Sequence, residues 1–124
     1  MLGDYPLHVV LLSTDLDASK DFYAKKVGLK ILSDNPWGVV FKSGDTQLTV
    51  SKSSVGTKDD QTQAGFRVKD VRAEVAELRK RGVKIEDYDT PGLKTVDGIA
   101  DIGFAWMAWF IDPAKNCIAI MQVK

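Results

Sequence analysis

The chain has 124 residues, of which 44% are hydrophobic and 27% are charged, a composition typical of a globular domain and not of a disordered segment. Its 17 basic side chains balance 17 acidic ones, and without a basic excess we expect neither nucleic acid nor a membrane surface as a partner. The single cysteine, Cys117, cannot form an internal disulfide, which favours a cytoplasmic location.

The first half of the sequence predicts a strand, a helix and three further strands. Gly28 follows the predicted helix, at a position where a left-handed residue commonly ends one. The polar stretch 53–62 has no periodicity and predicts a linker. The predicted elements are a strand at Leu7–Ser13, a helix from Asp17 to Val27, and strands near residues 30–33, 38–43 and 46–51.

The second half predicts the same order of elements. Asp112–Asn116 predicts a hairpin loop between its last two strands. The long glycine-bearing stretch from Tyr88 to Phe104 is predicted to form a lid or the rim of a pocket. The predicted elements are a strand at 63–68, a helix at Val71–Arg81, a strand near 84–87, and paired strands at 105–111 and 117–123.

The two halves also share short sequence matches. Asp15–Ala18 corresponds to Asp70–Ala73, and Val27–Ile31 corresponds, with a one-residue gap, to Arg81–Ile85. We therefore predict an α+β fold of two tandem βαβββ modules, residues 5–52 and 63–124, within one domain spanning 1–124. Each sheet would have one face without a helix, so the modules are expected to form a cupped mixed sheet with helices outside and a ligand in the concavity.

Several motifs carry a resemblance to a known family. In the first module these are His8, Asp15-Leu16, Phe22-Tyr23 and Gly28-Leu29, and in the second the run from Trp109 to Pro113 with Asn116. Their order resembles the vicinal oxygen chelate superfamily, which includes glyoxalase I, extradiol dioxygenases and bleomycin resistance proteins. The resemblance implies the tandem fold and, because family members commonly pair, a homodimer.

The resemblance also implies four ligand positions that metalloenzymes of the family use. They fall on His8, Thr49, Gln63 and Ala119, and of these only His8 is an ordinary metal ligand. Divalent ions usually need three or more imidazole or carboxylate ligands. We therefore expect no metal cofactor, with a divalent metal held by an atypical ligand set as the alternative.

Large aromatic side chains are concentrated on the strands that should line the concavity. The strand from Phe104 to Phe110 is apolar on both faces, so one face would line the cleft and the other would meet the helix or a dimer partner. The residues that we expect to bind a ligand are His8, Trp37, Thr49, Gln63, Tyr88, Phe104, Trp106 and Ala119.

Two functions remain open at this point. The first is metal-free binding of a hydrophobic or aromatic small molecule, as in the bleomycin resistance branch, giving antibiotic resistance by sequestration. The second is an enzyme of the lyase, isomerase or dioxygenase type, with an atypical metal set or with His8, the only histidine, as acid or base.

Overall fold

Two mixed β-sheets, each with its own helix, form the described part of the molecule. The structure is a computed structural model that describes residues 1–58 and 60–124. The chain divides into two compact units, the first running from Met1 and including Pro113–Lys115, the second comprising Asp60–Asp112 and Asn116–Lys124. The predicted α+β class with a repeated βαβββ order is confirmed. Within the described ranges, no helix has the length and apolar character needed to cross a membrane.

The first unit is a four-stranded sheet in the order β1-β4-β3-β2. β1 pairs in parallel with β4, and the other pairs are antiparallel. Asp15 starts α1 by accepting a 3.1 Å hydrogen bond from the Ala18 N–H. Its elements are β1 Val9–Ser13, α1 Leu16–Asp21, a π-helical extension Phe22–Lys26, β2 Lys30–Asn35, β3 Gly38–Ser43 and β4 Thr46–Lys52.

The second unit is a six-stranded sheet in the order β5-β10-β9-β8-β7-β6. β5 pairs in parallel with β10, and β10 pairs antiparallel with β9. Asp70 starts α2 by accepting a hydrogen bond from the Ala73 N–H at 3.1 Å. Its elements are β5 Thr62–Arg67, α2 Val71–Lys80, β6 Asp89–Thr90, β7 Leu93–Val96, β8 Ile99–Asp101, β9 Ala105–Ile111 and β10 Cys117–Val123.

The segment between α2 and β9 differs from the prediction. The prediction of a strand near residues 84–87 is wrong. This segment forms no strand ladder, and the Glu86 N–H donates to the Trp109 carbonyl of β9 at 2.8 Å. The stretch expected to be a lid or the rim of a pocket contains β6, β7 and β8. Gly92, with a φ of 87°, lies in the tight turn between β6 and β7. Strands this short leave too few alternations for a pattern to reveal them.

The two faces of β9 have different neighbours. Trp109 pairs with Ala119 of β10 on one face. On the other face Trp106 pairs with Gln122, whose side-chain oxygen accepts a hydrogen bond from the Val71 N–H of α2 at 2.9 Å. The face bearing Trp106 is therefore the one that α2 covers, and the face bearing Trp109 is turned away from the helix.

Candidate functional site

A cavity of about 410 Å³ opens in the second unit, on the sheet face opposite α2. Its walls come from the start of β5, from the segment that leads into β6 and β7, and from β9 and β10. The lining residues are Asp60, Gln61, Thr62, Tyr88, Leu93, Trp109 and Cys117.

Two aromatic rings form the apolar part of this cavity. The rings of Tyr88 and Trp109 meet edge to face, with centroids 5.4 Å apart and planes at 85°. Trp109 is 7% exposed and packs in one cluster with Ala119, against which Tyr88 and Leu93 also pack. The indole is therefore fixed by its neighbours and presents a preformed surface.

A chain of polar groups follows the same wall. The indole N–H of Trp109 donates to the Thr62 hydroxyl at 3.2 Å. Burial raises the pKa of the Cys117 thiol. Hydrogen bonds with the hydroxyls of Thr62 and Tyr88 oppose this effect but are smaller. Burial also raises the pKa of Tyr88 to about 12. Both groups are therefore neutral at neutral pH.

A β-bulge decides which residue of β5 reaches this wall. Thr62 lies opposite Cys117 and Ala64 lies opposite Ile118, so Gln63 is the extra residue between them. The side-chain oxygen of Gln63 is buried and has no hydrogen-bond partner among the described residues. Thr62 therefore contacts Trp109 and lines the cavity, and Gln63, expected as a ligand-binding position, is not among the described lining residues.

Of the other ligand-binding positions expected in the second unit, one lines the cavity, one lies behind it and two lie elsewhere. Tyr88 lines the cavity, and Ala119 lies in the apolar cluster behind it. Trp106 lies on the helix side of the sheet, where the Arg72 guanidinium stands 5.9 Å from its ring centroid. Phe104 is 64% exposed in the turn before β9 and does not line the cavity. Sequence alternation had separated the faces of β9 without identifying the one that α2 covers.

The remaining expected positions belong to the first unit. His8 is exposed just before β1, and Thr49 lies in β4 opposite Val10. Trp37 is 79% exposed in the turn between β2 and β3, where its backbone N–H donates to the Asn35 side-chain oxygen at 2.9 Å.

The first unit also has a polar cavity of about 780 Å³ near the start of α1. Three of its charged groups interact within the protein: Lys20 and Asp34 form an ion pair at 2.7 Å, which raises the pKa of Lys20, and Asp15 caps α1. This cavity has no aromatic lining.

The four positions implied for a metal offer a poor set of donors. They supply one imidazole from His8, one amide from Gln63, one hydroxyl from Thr49 and no donor from Ala119. The buried Gln63 oxygen is a neutral ligand, and the set contains no carboxylate, so it does not fit a divalent ion that needs three strong ligands. No cluster of three or more His, Cys, Asp or Glu side chains able to hold a metal occurs in the part of the chain that the structure describes.

Of the seven described lining residues, Tyr88 alone is among the expected ligand-binding positions. Asp60, Gln61 and Thr62 lie in the stretch 53–62, which the sequence predicts as a linker. The strand in fact begins one residue before the predicted 63–68, at Thr62. The threonine at its first position is a β-branched residue that could have extended the predicted strand.

Tandem βαβββ units with a ligand-sized cavity against one sheet define a vicinal oxygen chelate protein. The model of the Glyoxalase/Bleomycin resistance protein/Dioxygenase superfamily matches residues 6–120. The chain belongs to this superfamily. No curated protein matches the sequence.

Solved structures with the same fold cover nearly the whole chain. TnmS3, an antibiotic binding protein from Streptomyces sp. CB03234, is 26% identical with a TM-score of 0.68, over 96% of this chain and 98% of that one. A glyoxalase family protein from Enterococcus faecalis is 20% identical with a TM-score of 0.72, over 98% and 99%. Lactoylglutathione lyase from Agrobacterium tumefaciens is 22% identical with a TM-score of 0.67, over 95% and 92%.

Proposed function

We propose that this protein binds a hydrophobic or aromatic small molecule, without a metal ion, in the cavity of its second unit. The observation that carries the proposal is the edge-to-face pair of Trp109 and Tyr88 in the cavity wall. A flat ligand would bury apolar area against these rings, and each aromatic contact contributes about 1 kcal/mol beyond its area. The neutral phenol and thiol would hydrogen-bond its polar atoms.

A role in sequestering a toxic compound, such as an antibiotic, is part of this proposal. The similarity to TnmS3, an antibiotic binding protein, supports it. The buried free thiol of Cys117 is compatible with action in the cytoplasm.

Self-association as a homodimer also belongs to the proposal. Val10 and Leu12 are 57% and 39% exposed on one face of the first unit's sheet, and β1 is an edge strand of that sheet. An apolar face beside an open edge favours contact with another chain. Sedimentation should give a dimer at micromolar concentration, and a species of about 13.7 kDa would contradict it.

Binding is tested by quenching of tryptophan emission with a panel of polycyclic aromatic compounds. We expect saturable quenching that Trp109→Phe weakens and that the matched control Trp37→Phe, in the first unit, leaves in place. The proposal is wrong if no aromatic compound binds while a small thioester or a catechol is turned over, because that result identifies an enzyme.

The metal-free part is tested separately by elemental analysis of protein purified without chelator. We expect no stoichiometric metal, because the four positions that the family resemblance implies supply a weak set of donors. A transition metal that survives dialysis and disappears in His8→Ala would overturn this part and favour the enzyme.

A further inference from the structure

The lining of the cavity in the second unit includes an acidic residue, whose place there the sequence does not predict. Among the residues that the structure describes, Asp60 is the one charged residue in its lining, and neither lysine nor arginine lines it. The Asp60 side chain forms no ion pair with any residue that the structure describes. An exposed carboxylate without an ion-pair partner among these residues therefore belongs to the same lining as Tyr88 and Trp109.

A second carboxylate reinforces this charge from outside the lining. Glu86 is held next to β9 because its N–H donates to the Trp109 carbonyl at 2.8 Å. Its own partner, Lys84, is 3.7 Å away and 85% exposed, so it screens Glu86 weakly. Both Glu86 and Asp60 raise the pKa values of Tyr88 and Cys117. Glu86 and Asp60 therefore both contribute a negative potential at Tyr88 and Cys117 in the cavity wall.

The aromatic rings add to the same preference. The faces of Trp109 and Tyr88 are electron-rich and attract cations. Tyr88 and Cys117 keep their protons at neutral pH because their pKa values are raised. Neither group therefore adds a charge of its own to the cavity. The cavity combines apolar stacking surface with the negative potential that Asp60 and Glu86 contribute and with a carboxylate in its wall.

We propose that the ligand of this cavity is a planar aromatic compound that carries a protonated amine. Its ring lies against Trp109 and Tyr88, and its ammonium group pairs with the carboxylate of Asp60. This inference rests on the proposed binding function and adds the charge of the ligand to it. An anionic ligand of the same shape binds less tightly, because Asp60 and Glu86 repel it.

Three pyrene probes of similar shape separate ring binding from charge recognition: 1-pyrenemethylamine, 1-pyrenemethanol and 1-pyrenecarboxylate, which are cationic, neutral and anionic at neutral pH. Each is titrated against the full chain by quenching of tryptophan emission, at 20 mM and 500 mM NaCl. We expect the amine to bind about threefold more tightly than the alcohol and about tenfold more tightly than the carboxylate at low salt. The preference should shrink at high salt.

The variant Asp60→Asn identifies the group responsible. We expect it to bring the amine to the affinity of the alcohol while the affinity of the alcohol stays unchanged. The matched control Glu74→Gln makes the same charge change on exposed α2, on the other side of the sheet, and should leave all three affinities as they were.

Each outcome decides one of the two proposals. If the alcohol binds saturably but the carboxylate binds as well as the amine, or if Asp60→Asn keeps the preference, the charge inference is overturned and the binding function stands. If none of the three probes binds, the binding function fails, and the inference that rests on it fails too.

Discussion

The indole N–H of Trp109 donates to the hydroxyl of Thr62 across 3.2 Å, joining β9 to β5 although β10 lies between these two strands. This bond sets the orientation of the indole within the cavity wall. Because Thr62 accepts it, the hydroxyl proton remains available to the Cys117 sulfur, with which Thr62 also interacts.

Replacing Thr62 with valine should test this bond. Thr62→Val keeps the shape of the side chain but leaves the indole N–H of the buried Trp109 without its acceptor, which lowers the free energy of unfolding by about 1–2 kcal/mol. Urea denaturation measures the change. In a Trp109→Phe background the same substitution should cost clearly less, because only the interaction of Thr62 with Cys117 is then lost, and an equal cost in both backgrounds would show that the Trp109–Thr62 bond contributes no stability.

Tyr88 should ionise at unusually high pH. Burial raises the pKa of Tyr88 from 10.0 to about 12. The titration of this phenol is measured as the difference in phenolate absorbance between wild type and Tyr88→Phe. The folded state holds this proton more tightly than the unfolded state, so the contribution to stability is present below pH 10 and is lost as the pH rises toward 12. A midpoint near 10 in the difference titration would contradict the burial of this phenol.

Trp106 should affect stability and not ligand binding. Its ring lies 4.2 Å from the Lys124 ammonium and 5.9 Å from the Arg72 guanidinium, on the helix side of the sheet. Trp106→Leu removes these cation–π contacts and part of the packing, and should lower the free energy of unfolding by about 1–2 kcal/mol. Fluorescence titration with 1-pyrenemethanol should give an unchanged affinity. A large loss of affinity in a stably folded variant would place Trp106 in the binding site.

Gln63 should be replaceable with a gain in stability. Its buried side-chain oxygen lacks a hydrogen-bond partner among the described residues, and Gln63→Met, similar in shape, removes that oxygen and should raise the free energy of unfolding by about 1 kcal/mol. Gln47→Met, at a half-buried position of β4, is the control and should change little. A lower melting temperature for Gln63→Met alone would mean that the oxygen is bonded to an internal water.

The parts of the fold that the sequence predicts well have strong local patterns. β9 and β10 have the predicted bounds, because long runs of aromatic and β-branched residues flank a turn containing Pro113. α2 also begins at the predicted Val71, after the capping Asp70. β6, β7 and β8 were missed because two to four residues cannot establish a period.

The site is harder to predict because it depends on tertiary register. One extra residue in β5 exchanges the positions of Thr62 and Gln63, and no local pattern marks that bulge. Asp60 lines the cavity because of the place where the chain enters β5. Tyr88 lines it because of the way residues 84–88 attach to β9. Tyr88 and Ala119 were nevertheless expected from aromatic content and from the family resemblance.

The position of β10 also constrains how the protein is made. β10 lies between β5 and β9, so a nascent chain that has left the ribosome only as far as Ile111 has both flanking strands and no strand to join them. Until residues 117–123 emerge, the apolar side chains of β9, Trp109 and Phe110 among them, lack the neighbours that β10 supplies. The sheet of the second unit therefore cannot be completed before β10 has been made, and until then the side chains that β10 covers stay exposed.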